Sequence, residues 1–209
     1  MDALPLFRSC FGQCPLIAII RGVQPEEAEG IGRALVDAGI RIIEVPLNSP
    51  QPLDSIARLA AAFGEEVLVG AGTVLAPSQV EEVKAAGGRI IVSPSTDAAV
   101  IRATVAAGLV SAPGYFTPSE AFTALAAGAN VLKLFPAEAA SPAVVRAQRA
   151  VIPNDVPLVV VGGVKPDTMQ AYRDAGADGF GLGSALYRPE QSAREVAAQA
   201  AAFVRALEA

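Results

Sequence analysis

The chain of 209 residues contains no histidine and only two cysteines. The missing histidine excludes Ser-His and Cys-His nucleophile pairs and histidine-ligated zinc, so a carboxylate, lysine, tyrosine or water must carry any proton transfer. Cys10 and Cys14 are spaced C-x-x-x-C, which is neither a redox C-x-x-C pair nor a zinc quartet. Two thiols in apolar surroundings favour a reducing compartment, and we expect a cytoplasmic protein.

The chain also lacks an excess of positive charge and a long apolar run. Its formal net charge is −5, which argues against a nucleic-acid or anionic-membrane partner, whose phosphates need a basic patch. No apolar run reaches the ~18 residues of a membrane span. Residues 1–5 carry no basic region before an apolar core, so no secretory signal is expected. A hydrophobic content of 52% and no linker-like stretch predict one domain over residues 1–209.

Apolar runs alternate with alanine-rich segments of helical periodicity. Many of these segments open with proline and close before glycine, as helices do at their first position and just past their end. Eight strands each followed by a helix predict an α/β fold, a (β/α)8 TIM barrel, with a short extra N-terminal helix at its bottom. A doubly wound open sheet is the alternative. The predicted strands are Leu16–Ile20, Ile42–Val45, Val67–Ala71, Ile90–Val92, Leu109–Ala112, Val131–Leu134, Leu158–Val161 and Gly179–Leu182. The predicted helices are Pro25–Ala38, Pro52–Phe63, Pro77–Ala86, Asp97–Ala107, Pro118–Ala127, Pro142–Val151, Pro166–Ala175 and Pro189–Leu207.

An internal repeat supports closure into a barrel. A small-residue helix end recurs before five strands, and its final glycines are Gly39, Gly87, Gly108, Gly128 and Gly176. Five residues beyond these glycines, the second, fourth, sixth and eighth strands carry Glu44, Val92, Lys133 and Gly181. Alternate strands of a (β/α)8 barrel supply one interior layer. The spacing therefore predicts that these four residues share a layer.

Lys133 lies in an apolar strand, where a lysine is rarely buried because removing water from an ammonium group is costly. Burial lowers the pKa of a lysine and leaves a fraction as the free amine, which is a nucleophile for a ketone. The alternative is a lysine neutralised by a buried carboxylate, for which Glu44 is the candidate.

Two glycine pairs follow the seventh and eighth predicted strands, where barrels often hold a phosphate. They are Gly162-Gly163 and Gly181-x-Gly183, the latter followed by Ser184. Glycines at such turns let backbone N–H groups approach an anion. The alternative for each pair taken alone is a tight turn.

Other polar groups follow the remaining strands. Arg21 ends the first strand and suits a substrate carboxylate or a salt bridge to Glu44. Thr73 follows the third strand, and its hydroxyl holds substrate or caps a turn. Asn48 lies after the second strand, where it can contact substrate hydroxyls. Pro113 ends the fifth strand and is a further candidate for substrate contact; Tyr115-Phe116 beyond it is expected to wall the pocket.

An amine, a carboxylate, an arginine for an anion and a phosphate cradle form the inventory of a Schiff-base aldolase acting on a phosphorylated keto acid. The amine condenses with a ketone to an iminium, which accepts electrons during C–C cleavage. The carboxylate, directly or through a water, moves the protons. This chemistry requires no metal and no cofactor.

Six motifs, spread over essentially the whole chain, resemble the 2-keto-3-deoxy-6-phosphogluconate/galactonate aldolases. The resemblance implies a class I aldolase that forms pyruvate and D-glyceraldehyde 3-phosphate, and it implies a homotrimer. It also implies that Lys133 is the Schiff-base lysine, Glu44 the acid/base, and Arg21 and Thr73 contacts of the pyruvate end. Gly162, Gly163, Gly183 and Ser184 would then lie at the phosphate. The motifs are Ile-Ala-Ile-Ile-Arg-Gly (17–22), Ile-Glu-Val-Pro-Leu-Asn-Ser-Pro (43–50), Gly-Ala-Gly-Thr-Val (70–74), Leu-Lys-Leu-Phe-Pro-Ala-Glu (132–138), Val-Gly-Gly-Val (161–164) and Gly-Leu-Gly-Ser (181–184).

Two positions resemble the galactonate branch of that family. Asn48 lies where the gluconate branch tends to carry arginine, and Val161 lies where that branch tends to carry threonine. The ending Phe-Pro-Ala-Glu at Glu138 is more similar to the gluconate branch. We expect a preference for the galactonate substrate, with gluconate or dual C4-epimer specificity as the alternative.

Two rival functions remain for a phosphate-binding barrel. A sugar-phosphate epimerase or isomerase would use the same glycine turns, but it usually needs metal ligands or an acid pair that the sequence does not offer. A non-catalytic phosphosugar-binding barrel would bind ligand without turnover. In both, Lys133 would have no covalent role.

Overall fold

The structure is a computed structural model that describes residues 2–208. The strands are β1 (Leu16–Ile19), β2 (Ile42–Pro46), β3 (Leu68–Gly72), β4 (Ile90–Val92), β5 (Val110–Ala112), β6 (Gly114–Tyr115), β7 (Leu132–Leu134), β8 (Leu158–Val161) and β9 (Gly179–Leu182). The helices are α1 (Leu4–Gln13), α2 (Pro25–Asp37), α3 (Pro52–Phe63), α4 (Pro77–Ala85), α5 (Ala98–Ala106), α6 (Pro118–Ala126), α7 (Pro142–Arg149), α8 (Met169–Asp174) and α9 (Ala193–Glu208), with 3-10 turns at Ala137–Ala139 and Pro166–Thr168.

The sheet is parallel throughout and runs in the order β5-β4-β3-β2-β1-β9-β8-β7-β6. Its two ends, β5 and β6, are separated only by Pro113, so they are two halves of one strand. Proline has no N–H to donate to a ladder, which interrupts the strand at this point. The Pro113 carbonyl still accepts the Lys133 N–H at 3.0 Å, and the Ser111 carbonyl accepts the Val131 N–H at 3.1 Å. These bonds close the barrel, which confirms the predicted fold.

The helix ends follow the predicted chemistry. All five repeat glycines adopt positive φ, between 77° and 105°, a region that glycine enters without the cost of a Cβ clash. The predicted start of the last helix at Pro189 is wrong, because α9 begins at Ala193. Ser192 and Glu195 exchange cap hydrogen bonds there, and this capping box outweighs the preference for proline at a helix start.

Alternation along the strands builds two apolar layers. One layer fills the barrel. Helix α1 closes the bottom of the barrel with Phe7, and this confirms the predicted extra helix. The other layer packs between the sheet and the surrounding helices. In β2, Ile42 belongs to the inner layer and Ile43 to the outer layer, as expected when successive side chains point to opposite faces. None of the helices in residues 2–208 combines the length and apolar character needed to cross a bilayer.

Candidate active site

The barrel interior contains a buried lysine and a buried carboxylate. Lys133 on β7 is 7% exposed and Glu44 on β2 is 2% exposed. Both line one small internal cavity together with Val92 on β4 and Gly181 on β9. The four residues that the repeat predicts for one layer therefore face the same space. Val92 and Gly181 carry no polar side-chain atom, so the two charged side chains face a space with apolar walls.

Lys133 and Glu44 do not form an ion pair. Within residues 2–208, no carboxylate oxygen lies within 4.0 Å of the Lys133 Nζ, and the Glu44 Oε2 is buried without a hydrogen-bond partner. The Lys133 Nζ instead lies 4.7 Å from the centroid of the Phe135 ring. The alternative in which Glu44 simply neutralises Lys133 by direct contact is therefore wrong.

Burial shifts the pKa of both groups toward their neutral forms. Loss of water raises the pKa of Glu44 to about 7, against smaller opposing effects of Lys133 and Arg21. Loss of water also lowers the pKa of Lys133; Glu44 opposes that shift, and the Arg21 charge adds to it. A carboxyl group that titrates near neutrality can both accept and donate a proton, and a lysine with a lowered pKa supplies free amine.

Gly72 creates the space that the Glu44 carboxyl group occupies. A Cβ at position 72 would lie 1.6 Å from the Glu44 Oε2, far inside any contact distance. Gly72 ends β3, which pairs with β2 in parallel register. The carboxyl group thus rests directly on backbone, which holds its position inside the barrel.

A second polar cluster lies above the cavity, where β1, β2 and β3 end. The Arg21 guanidinium donates to the Asn48 Oδ1, and its Nη atoms lie 3.4 and 3.5 Å from the Thr73 Oγ1. Thr73 has φ of +57°, a strained conformation for a β-branched residue and one that clusters at functional sites. Within residues 2–208, Arg21 has no carboxylate within 4.0 Å, so the alternative salt bridge to Glu44 is wrong.

The two glycine turns lie side by side in a cleft of about 320 Å³ that Arg21 also lines. Within residues 2–208, six backbone N–H groups at these turns donate to no protein acceptor. Gly162 and Gly163 adopt φ of +116° and +63°, which suits glycine. Convergent unused N–H groups are a cradle for an anion. The six belong to Gly162, Gly163, Val164, Gly183, Ser184 and Ala185.

Most candidate residues come together, but two do not act as expected. Pro113 lines neither the cavity nor the cleft; its carbonyl holds β7 through the Lys133 N–H. Tyr115 does not wall the pocket, because β6 continues the strand and alternation points its side chain to the outer layer. Its hydroxyl donates to the Gln148 Oε1 at 3.1 Å there.

Three further side chains belong to the site and were not predicted from the sequence. Phe135 lies beside the Lys133 Nζ, and Glu138 and Arg188 line the cleft at the glycine turns. Their proximity to the motifs is the signal in the sequence, since Phe135 and Glu138 follow Lys133 closely and Arg188 follows Ser184 by four residues.

A buried, unpaired lysine and carboxylate at the carboxyl ends of barrel strands, beside an anion cradle, define a barrel aldolase of the class I type. The chain belongs to the KDPG and KHG aldolase family, whose model matches residues 8–199. The 2-dehydro-3-deoxy-6-phosphogalactonate aldolase of Escherichia coli strain K12 is 48% identical over 192 residues, which cover 92% of this chain and 94% of that protein. The probable 2-dehydro-3-deoxy-6-phosphogalactonate aldolase of Rhizobium meliloti strain 1021 is 46% identical over 209 residues, which cover 100% of this chain and 97% of that protein.

Solved structures agree with these relatives. A native KDPGal structure superposes with a TM-score of 0.92 and 47% identity, covering 94% of this chain and 95% of that chain. The KDPG aldolase of Legionella pneumophila, with pyruvate captured as a covalent carbinolamine, superposes with a TM-score of 0.81 and 28% identity, covering 94% of this chain and 97% of that chain.

Proposed function

We propose that this chain is a class I aldolase that cleaves 2-dehydro-3-deoxy-6-phosphogalactonate to pyruvate and D-glyceraldehyde 3-phosphate. The observation that carries the proposal is the environment of Lys133, which is buried, without an ion-pair partner and lowered in pKa. The two relatives named for this substrate, which match nearly their whole length, support the choice. The proposal takes residues 1–209 as one catalytic domain.

In the proposed reaction the neutral Lys133 Nζ attacks the C2 ketone and forms a carbinolamine, which loses water to give an iminium. The Glu44 carboxylate, directly or through one water, removes the proton of the C4 hydroxyl. The C3–C4 bond then breaks, its electron pair moves into the iminium to form an enamine, and the aldehyde leaves. The protonated Glu44 returns a proton to C3, and hydrolysis of the new iminium frees pyruvate and Lys133.

The polar clusters orient the two ends of the substrate. Arg21 and Thr73 would bind the carboxylate of the keto acid, because the guanidinium offers parallel donors and the Thr73 hydroxyl is already held against it. Gly162, Gly163, Gly183 and Ser184 would bind the phosphate through their unused N–H groups.

The choice between C4 epimers falls to Asn48 and Val161. Asn48 is turned toward Arg21, and Val161 lines both the cavity and the cleft. A Cβ on Gly181 would lie 2.6 Å from the Val161 side chain, so Val161 fills the space that this glycine leaves open. An apolar wall here offers no hydrogen bond to a substrate hydroxyl. We expect the galactonate epimer to be preferred and Val161→Thr to shift turnover toward the gluconate epimer; equal or better turnover of the gluconate epimer by the unmodified enzyme would contradict the preference.

The assembly and location are also part of the proposal. We expect a homotrimer in the cytoplasm. A designed protein cage built by fusing symmetric oligomeric domains contains a chain that superposes with a TM-score of 0.92 and 47% identity, covering 94% of this chain and 73% of that chain, which supports an oligomer. The mass of the purified protein by light scattering checks the trimer.

Borohydride trapping tests the central step. Reduction in the presence of pyruvate, followed by peptide mapping, is expected to place a pyruvyl adduct on Lys133. Lys133→Arg is the control, because it keeps the positive charge but cannot form the imine. A folded protein that gives no adduct would exclude the aldolase and leave the sugar-phosphate epimerase or isomerase and the non-catalytic phosphosugar-binding barrel.

A further inference from the structure

Arg188 lies at the mouth of the cleft that holds the two glycine turns. The chain leaves β9 at Leu182, makes a tight turn in which Leu186 and Tyr187 donate to the Gly183 carbonyl, and arrives at Arg188. The side chain is exposed and lines the same cleft as Gly162, Gly163 and Gly183. Its charge therefore lies in the cleft that the turns with the unused N–H groups line.

The Arg188 guanidinium is held through its Nε, whereas, in the described part of the chain, its two Nη atoms are free to bind a ligand. Its Nε donates to the Ser184 carbonyl at 2.9 Å, which ties the side chain to the turn that carries the cradle. Within residues 2–208, the two Nη atoms have no hydrogen-bond acceptor, and no carboxylate lies within 4.0 Å. A guanidinium held in this way loses little further freedom when it binds a ligand, and its free edge suits a phosphate.

The other charged side chains of the cleft do not balance the negative charge of Glu138 near the glycine turns. Glu138 packs on the glycine pair, since a Cβ at Gly162 would lie 2.1 Å from its Oε2 and a Cβ at Gly163 would lie 2.7 Å from its Cγ. A carboxylate so close repels an incoming phosphate dianion. Arg21 is engaged with Asn48 and Thr73 at the end of the cleft where we place the keto acid carboxylate. Backbone N–H groups carry only partial charges. Among the described residues that line this cleft, Arg188 is therefore the cation left to balance Glu138.

We propose that Arg188 binds the phosphate of the substrate and makes the enzyme select phosphorylated over unphosphorylated acceptor aldehydes. The inference rests on the proposed aldolase function, and it adds a side-chain cation to the backbone cradle of Gly162, Gly163, Gly183 and Ser184. The Nε bond to Ser184 makes the geometry specific to arginine, because its Nε holds that carbonyl while two separate Nη atoms offer parallel donors to a phosphate, whereas all three donors of a lysine leave from one nitrogen.

The test is the aldol reaction run in the direction of synthesis, with pyruvate and either D-glyceraldehyde 3-phosphate or D-glyceraldehyde. For Arg188→Gln we expect kcat/KM with the phosphorylated acceptor to fall about 10- to 100-fold, the range of a lost charge-assisted hydrogen bond. With D-glyceraldehyde we expect no change. For Arg188→Lys we expect kcat/KM with the phosphorylated acceptor to lie between the values of Arg188→Gln and the unmodified enzyme. Arg102→Gln, which removes an equal charge from α5 outside the cleft, should leave both reactions unchanged.

Two readouts separate this inference from the aldolase proposal. Borohydride trapping of pyruvate on Lys133 should be equal in Arg188→Gln and the unmodified enzyme, since pyruvate has no phosphate for Arg188 to bind. Calorimetric titration with D-glyceraldehyde 3-phosphate should show weaker binding to Arg188→Gln. This measurement does not require the enzyme to be catalytically active. An equal fall with both acceptors would indicate a structural role and overturn the inference, as would unchanged affinity for the phosphorylated aldehyde.

Discussion

Glu44→Gln should stabilise the protein at alkaline pH and leave its stability nearly unchanged at acidic pH. The Glu44 pKa is raised by burial from 4.5 to about 7. Between these two values the folded state holds a proton that the unfolded state has released, so the unmodified protein loses stability as the pH rises through this window. Glutamine resembles the protonated acid in shape and never ionises, so the variant escapes this loss.

The size of the stability difference between the two proteins follows from the shift in the Glu44 pKa. Each pKa unit is worth about 1.4 kcal/mol, so the ionised carboxylate costs on the order of 3 kcal/mol above pH 7. For a chain of this length, that free energy corresponds to a rise in Tm of roughly 6–12 °C in the variant. Removing the Glu44 charge also lowers the pKa of Lys133 further. The unfolded chain then binds a proton at pH 8 that the folded protein holds less well, so this effect offsets part of the gain.

The assay is urea unfolding of both proteins at pH 5 and pH 8, at one protein concentration because assembly contributes to stability. We expect similar free energies of unfolding at pH 5, a clear advantage for the variant at pH 8, and loss of cleavage activity at both. A stability difference that does not change with pH would refute the reasoning, because it would show that the Glu44 carboxylate keeps its hydration inside the barrel.

Two further substitutions test the packing around the site. Gly72→Ala should displace the Glu44 carboxyl group, reduce cleavage activity and cost about 1–3 kcal/mol of unfolding free energy, since its Cβ has no room. Gly12→Ala on α1, where nothing lies within 4 Å of the added Cβ, should instead add about 0.5–1 kcal/mol; urea midpoints compare the two, and equal effects would contradict the proposed slot. Tyr115→Phe should cost about 1–3 kcal/mol because the buried Gln148 Oε1 loses its donor, and the expectation fails if the urea midpoint stays the same.

The sequence predicts the barrel well because strand and helix periodicity, proline starts and glycine ends all agree. The five-residue spacing after each helix-ending glycine correctly brings Glu44 and Lys133 to one internal space. It does not predict that the two groups form no ion pair, since that depends on the distance between the side chains inside the cavity, which they share with the apolar Val92 and Gly181.

Other features require the three-dimensional contacts. The Gly-Ala-Gly motif offers two glycines. The strand register pairs Glu44 with Gly70, and only the position of the side chain shows that Gly72 receives the carboxyl group. The outward orientation of Tyr115 was missed because Pro113 looks like the end of a strand, whereas the strand resumes beyond it. The late start of α9 was predictable, because Ser192 and Glu195 stand at capping-box spacing in the sequence.

Pro113, which joins the two edge strands β5 and β6, determines where this chain can be circularly permuted. The two edges of the sheet are joined there by a single residue, and the carbonyl of that residue also anchors the backbone of Lys133. A circular permutant with new termini at this point would open the cylinder beside its reactive amine. The exposed turn at Pro153–Asp155 lies outside the sheet, so a break there leaves every strand pairing intact and is the natural place for new termini or an inserted domain.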